Sequence, residues 1–182
     1  MKRTLIVFDG DNVQAGVGNY RGRARAINVL RLRSIERLIT SLLPPETEVR
    51  SAVFITHFMA PDTVPWKKLN PKTRIWMYNF PLVNGFGYPD VMVKRYIDTH
   101  LTEFDHLILV TSDKDFFVYA EDLAREKGKH VTIFALRRCT NNRLFQSLTG
   151  IEARYLDTLV NVAAEPPSWQ QIKSQYKPPL RW

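Results

Sequence analysis

Two acidic clusters, about a hundred residues apart, each follow directly on a short apolar run. Thr4-Leu5-Ile6-Val7-Phe8 leads into Asp9-Gly10-Asp11-Asn12, and Leu107-Ile108-Leu109-Val110 leads into Thr111-Ser112-Asp113-Lys114-Asp115-Phe116. In an open parallel sheet, ligands bind in the crevice beyond the carboxyl ends of the strands. Both clusters therefore open onto one crevice if the two strands are neighbours. Carboxylates gathered there repel one another, and a divalent cation with hard oxygen ligands is the usual means of holding them together. The pattern points to a metal site.

The elements that must position these acids follow from the hydrophobic pattern. Strand-like runs at 4–8, 48–58, 74–78, 106–110, 130–135 and 153–156 alternate with helical spacing at 29–43, 90–103, 115–127 and 142–148. Pro44-Pro45 and Gly128 punctuate the helices, and Asp90 after Pro89 stands where a helix begins. This βα alternation predicts a three-layer α/β/α domain with a mainly parallel central sheet of about five to six strands, joined by right-handed crossovers. The expected boundaries are one domain over 1–160 and a proline-containing tail over 161–182, either loosely held or packed through Trp169, Tyr176 and Trp182.

Composition excludes several classes. No apolar run approaches the roughly 20 residues of a membrane-spanning helix. The first strand-like run turns acidic at Asp9 too soon for a secretory segment, so a soluble, cytoplasmic protein is expected, with no membrane partner. The lone Cys139 forms no internal disulfide, and His57, His100, His106 and His130 lack zinc-ligand spacing. A net charge of +8 favours an acidic partner, above all nucleic acid.

Basic residues cluster accordingly. Arg21, Arg23, Arg25, Arg31, Arg33 and Arg37 share a 17-residue stretch whose one acid is Glu36. Lys67, Lys68, Lys72 and Arg74 flank Trp66 and Trp76, and Arg137-Arg138 follows the strand ending near Ala135. Such residues meet phosphates while aromatics stack on unpaired bases, although charge runs also serve simply as solvated faces. Phe86 and Tyr88, in the glycine-rich loop before Asp90, suit either base stacking or core cover.

Asp9-Gly10-Asp11-Asn12-Val13, the helix opening at Asp90 with Lys94 beyond it, and Thr111-Ser112-Asp113-Lys114-Asp115-Phe116 together resemble the NYN domain, a branch of the PIN-like nuclease superfamily, over roughly residues 3–157. The resemblance implies a Mg²⁺- or Mn²⁺-dependent ribonuclease acting on single-stranded or unpaired RNA. It implies Asp9, Asp90, Asp113 and Asp115 as metal-binding and catalytic acids, with Asn12 beside them. Asp9 is then the central ligand and Asp113 the second; Asp90 and Asp115 bind through water or orient the nucleophile. Asn12 bonds a phosphate oxygen or holds Asp9. Arg21, Arg23, Arg25, Lys94, Ser112, Arg137 and Arg138 are the expected RNA contacts. Ser112 stands where many NYN sequences have Gly, and Pro89 is a further departure.

Rival readings attach to the same residues. Asp9 and Asp11 suit a turn, and Asp90 and Asp115 suit helix caps. Asp98, eight residues after Asp90, lies about 12 Å further along the same helix face and is the reserve metal ligand. The Asp9-Gly10-Asp11 spacing also fits a haloacid-dehalogenase-type phosphatase, with Asp9 as nucleophile, Asp11 as acid and base, Thr56 or Ser112 on phosphate, and Lys94 and Asp113 completing the Mg²⁺ site; but Asn12-Val13 stands where that family expects a pair such as Gly-Thr. A third reading is a non-catalytic RNA-binding protein on the same fold. A homodimer through the tail or an edge strand is a further expectation.

Overall fold

The computed structural model describes residues 2–10, 12–13, 29–56, 66–69, 76–80, 82–83, 86–87, 89–137 and 139–158. Asp11, Arg21, Arg23, Arg25, Arg138 and the tail lie outside the described residues, as does the side chain of Thr56. The elements in chain order are β1 (Arg3–Asp9), α1 (Val29–Thr40), β2 (Glu48–Thr56), β3 (Trp66–Leu69), β4 (Trp76–Phe80), β5 (Leu82–Val83), β6 (Phe86–Gly87), α2 (Pro89–Thr99), β7 (His106–Val110), α3 (Asp115–Lys127), β8 (His130–Ala135), α4 (Asn142–Gln146) and β9 (Glu152–Tyr155).

The main sheet runs β3-β4-β2-β1-β7-β8-β9. Every pairing in it is parallel except β3 with β4. The mainly parallel sheet is the one expected; among the described residues its six parallel strands are joined by a seventh. The extra one is β3, whose Trp66-Lys67-Lys68-Leu69 lacks the apolar run of an interior strand and needs only one partner at the edge. The fourth strand occupies Trp76–Phe80, two residues later than the hydrophobic pattern placed it.

β1 explains the layering. Leu5 and Val7 enter a core shared with Val93 and Ile97 of α2 and Phe116, Phe117 and Ala120 of α3. Ile6 and Phe8 face the opposite core with Ile35 and Ile39 of α1. A strand buried on both faces is apolar along its interior, and this one is from Leu5 to Phe8. Full burial of Ile35 and Ile39 contributes about 1.5–3 kcal/mol each to docking α1, whereas Leu38 on its outer side stays exposed. Buried Glu36 adds a polar tie, accepting from Ser51 Oγ of β2 at 2.6 Å and pairing with Arg33.

The sheet grows outward in both directions from β1 and β7. α1 connects β1 to β2 on one face, and α3 connects β7 to β8 on the other. Crossovers of one hand produce this when the winding direction reverses between the two central strands. That reversal lies between β1 and β7, whose last register pair is Phe8 with Val110. A crevice opens there because the chains leaving the two strands diverge to opposite faces.

Candidate metal centre

Asp9 closes β1 and is 8% exposed. Its Oδ1 accepts from the Asn12 backbone N–H at 3.2 Å, and its Oδ2 accepts from Thr111 Oγ1, at the end of β7, at 2.9 Å. Asn12 spans the same gap: its Oδ1 accepts from the Ser112 N–H at 2.9 Å. Two bonds therefore tie the chain leaving β1 to the chain leaving β7. Thr111 Oγ1 also accepts from the Asp113 N–H at 3.1 Å, so one buried hydroxyl fixes both Asp9 and the turn that presents Asp113.

Asp113 stands two residues before α3. Its Oδ1 accepts from the Asp115 N–H at 3.0 Å, satisfying one of the unpaired donors at the helix start. Capping here falls to Asp113, not Asp115, which is the first helical residue and keeps its side chain exposed. α2 approaches from the side with Pro89 as its first residue, a position where the missing N–H costs nothing. Asp90 follows in the first turn.

Oxygens of Asp90, Asp113 and Asp115 all lie within 4.8 Å of one another. The helix N-termini of α2 and α3 favour negative charge there, but three carboxylates still conflict. Burial, and then the charge of Asp113, hold the Asp90 carboxyl above the usual carboxylate range; Lys94 opposes this and Asp115 adds to it. A donor set of three hard oxygens from separate carboxylates fits Mg²⁺ or Mn²⁺ and suits neither copper nor zinc sites rich in sulfur and nitrogen.

The expected residues thus divide. Asp90, Asp113 and Asp115 form the cluster. Asp9 stands outside it, bonded by Asn12 and Thr111, although each carboxylate oxygen retains acceptor capacity. Asp98 is also outside it, exposed and accepting from Tyr119 Oη at 2.8 Å. Lys94 Nζ donates to the Asp115 backbone carbonyl at 2.9 Å and lies over the Phe116 and Tyr119 rings, so it pins α2 to the start of α3. The buried hydroxyl of Ser112 accepts from the Leu136 N–H at 2.8 Å at the end of β8. Arg137 follows directly and is exposed, its guanidinium carbon 3.9 Å from the centroid of Tyr155. Sequence reasoning gave Thr111 no role; the one signal was a hydroxyl residue placed between an apolar strand and an acid.

Among solved structures, a protein of unknown function from Vibrio parahaemolyticus, VPA0982, is similar at 17% identity and a TM-score of 0.51, over 83% of this chain and 91% of that one. At that identity the likeness concerns the fold alone. An isochorismatase-like hydrolase from Alkaliphilus metalliredigens matches at 14% identity and a TM-score of 0.39, over 87% of this chain and 96% of that one. No curated protein matches. No helix among the described residues is long and apolar enough to cross a membrane. The sequence profile of the NYN domain matches residues 3–152, which takes the Asp9-Gly10-Asp11 spacing away from the phosphatase pattern. On that match, the chain belongs to the NYN domain family, a branch of the PIN-like nucleases.

Proposed function

We propose that this protein is a metal-dependent ribonuclease that hydrolyses phosphodiester bonds in single-stranded or unpaired RNA, with Mg²⁺ or Mn²⁺ held by Asp90, Asp113 and Asp115 and with Asp9 behind them. The observation that carries the reading is the meeting of three carboxylates within 4.8 Å at the chain-reversal crevice. A divalent ion bound there supplies a water of lowered pKa and offsets charge on the phosphoryl oxygens. The chain's own residues do the rest. Thr111 and Asn12 hold Asp9 and the β7 turn in fixed relation, so the acids are in place before substrate arrives. Lys94 anchors α2 against α3 and thereby sets the spacing between Asp90 and Asp115. Arg21, Arg23, Arg25, Arg137 and Arg138 are the proposed contacts to the RNA backbone.

Purified protein with Mn²⁺ or Mg²⁺ is expected to cut single-stranded RNA, leaving a 5′-phosphate, and EDTA to stop it. Asp113→Asn should lower the rate by about 100-fold or more, since even groups that merely orient metal ligands are worth 10–100-fold. Cutting that persists in EDTA or in Asp113→Asn would refute the proposal. RNA that binds without being cut under any divalent ion would assign the fold a binding role only.

A further inference from the structure

Resting on the ribonuclease reading, we propose that Arg137 is a preset phosphate-binding group for the RNA strand where it runs from the acids toward β9, and that Tyr155 is the residue that positions it. β8 is the parallel neighbour of β7, and the two chains leave the sheet joined: Thr111 N–H donates to Phe134 O at 3.0 Å, and Leu136 N–H to Ser112 Oγ at 2.8 Å. Arg137 therefore emerges at the same end of the sheet as Asp113, one strand over, and its side chain leans outward onto Tyr155 of β9, about two strand spacings, roughly 10 Å, from the end of β7. Its backbone N–H donates to Asp157 Oδ2 at 2.7 Å, which fixes where its side chain begins.

Among the described residues Arg37, Arg95, Arg137 and Arg143 pair with no carboxylate, and of these Arg137 lies over an aromatic ring. Arg3, Arg33, Arg50, Arg125 and Arg154 each pair with a carboxylate. The Arg137 guanidinium has no acid partner among the described residues and instead lies at stacking distance from the Tyr155 ring. That ring is itself fixed, with its hydroxyl donating to Asn142 Oδ1 at 2.9 Å and its face against Phe145, 5.1 Å between centroids. An arginine that leans on an aromatic ring keeps its N–H edge available. A planar fork with its charge uncompensated matches the two oxygens of a phosphodiester, and holding it in advance reduces the ordering cost of binding. The nearby acids supply the reason for such a group, because an RNA strand approaching three carboxylates needs positive charge beside them.

The test is fluorescence anisotropy of a labelled single-stranded RNA with the full chain in EDTA, across a salt series. Arg137→Ala is expected to weaken binding about 10- to 100-fold, the range of a charge-assisted bond, and to reduce the salt slope by about 0.7, one phosphate on a single strand. Tyr155→Leu should weaken binding about 3- to 10-fold, the effect of releasing one ordered side chain, with the parental salt slope, while Tyr155→Phe restores parental affinity. Parental affinity and slope in Arg137→Ala, with RNA still bound and cut by the parent, would overturn this inference and leave the nuclease reading intact. A loss of affinity with an unchanged slope and a new base preference would also overturn it, in favour of base stacking. A parent that neither binds nor cuts RNA would remove the nuclease reading and this inference with it.

Discussion

Replacing Asp90 by Asn should make the metal-free protein more stable and the metal-loaded protein less so. Asp90 faces two like charges at no more than 4.8 Å, and Coulomb's law puts each pair at about 0.9 kcal/mol in a water-like medium and about 3.5 kcal/mol at an effective dielectric of 20. Asp115 is exposed and belongs near the lower figure; Asp113 is half-buried and lies between the two. Against this relief stands the favourable interaction of an acid with the first turn of α2, about 0.3–1 kcal/mol, together with the attraction of Lys94. The net gain is about 1–3 kcal/mol. For a chain of this size each kcal/mol moves the melting temperature by about 2–4 °C, so the metal-free variant should melt about 2–12 °C above the parent at pH 7.

Mn²⁺ at a hundred times its Kd adds about 2.7 kcal/mol to the parent, or about 5–11 °C, and should add far less to the variant. Acid should erase the metal-free difference. The Asp90 carboxyl is held above the usual carboxylate range, so its ionised form penalises the fold above that raised value, and the penalty disappears as pH falls below the ordinary range. Thermal melts in EDTA and in Mn²⁺, at pH 7 and near pH 4, read all of this. A variant that melts below the parent in EDTA, or gains as much from Mn²⁺ as the parent does, would refute the reasoning.

Two further outcomes follow from the same geometry. Thr111→Val removes the hydroxyl that donates to buried Asp9; a hydrogen bond to a charged group is worth about 1.5–3 kcal/mol, so urea melts should show a loss of that size, and RNA cutting should fall. His106 is lowered to a pKa of about 4 by burial and then by His130, so the unfolded chain takes up a proton near pH 6.5 that the fold refuses until about pH 4. Stability should therefore drop as pH falls through that window, and His106→Phe should flatten the drop in denaturant midpoints.

How far the sequence discloses the site depends on whether a residue acts through its position on the chain or through a distant neighbour. The interior place of β1 and β7 is readable because both runs are apolar without alternation, whereas their adjacency, a condition of the sequence argument, is supplied by their parallel pairing. Pro89 before Asp90 is likewise readable as a helix start. β3 is not, since an edge strand of four residues with two lysines carries almost no periodic signal. Nor are the tasks of Ser112 and Lys94. As residue types they suit phosphate, yet their partners, Leu136 and the Asp115 carbonyl, lie 24 and 21 residues away and are reached only through the packing of β8 and α3.

The division of labour among the acids has a physical basis in the same packing. Asp9 extends a strand buried on both faces, so its carboxylate is desolvated and must be satisfied by fixed donors, which the N–H of Asn12 and the hydroxyl of Thr111 supply. Asp90, Asp113 and Asp115 stand on turns and helix starts, where backbone donors are oriented but side chains reach solvent. A carboxylate of the first kind is rigid and already bonded; carboxylates of the second kind can exchange water for an ion without breaking the fold. On the metal-dependent reading proposed above, the outer trio is the part that loads and releases a cation, and the inner aspartate is the part that keeps the two halves of the sheet in register while it does so. Mutations should separate along that line, with the trio governing the response to metal and the Asp9–Thr111–Asn12 link governing stability as well as rate.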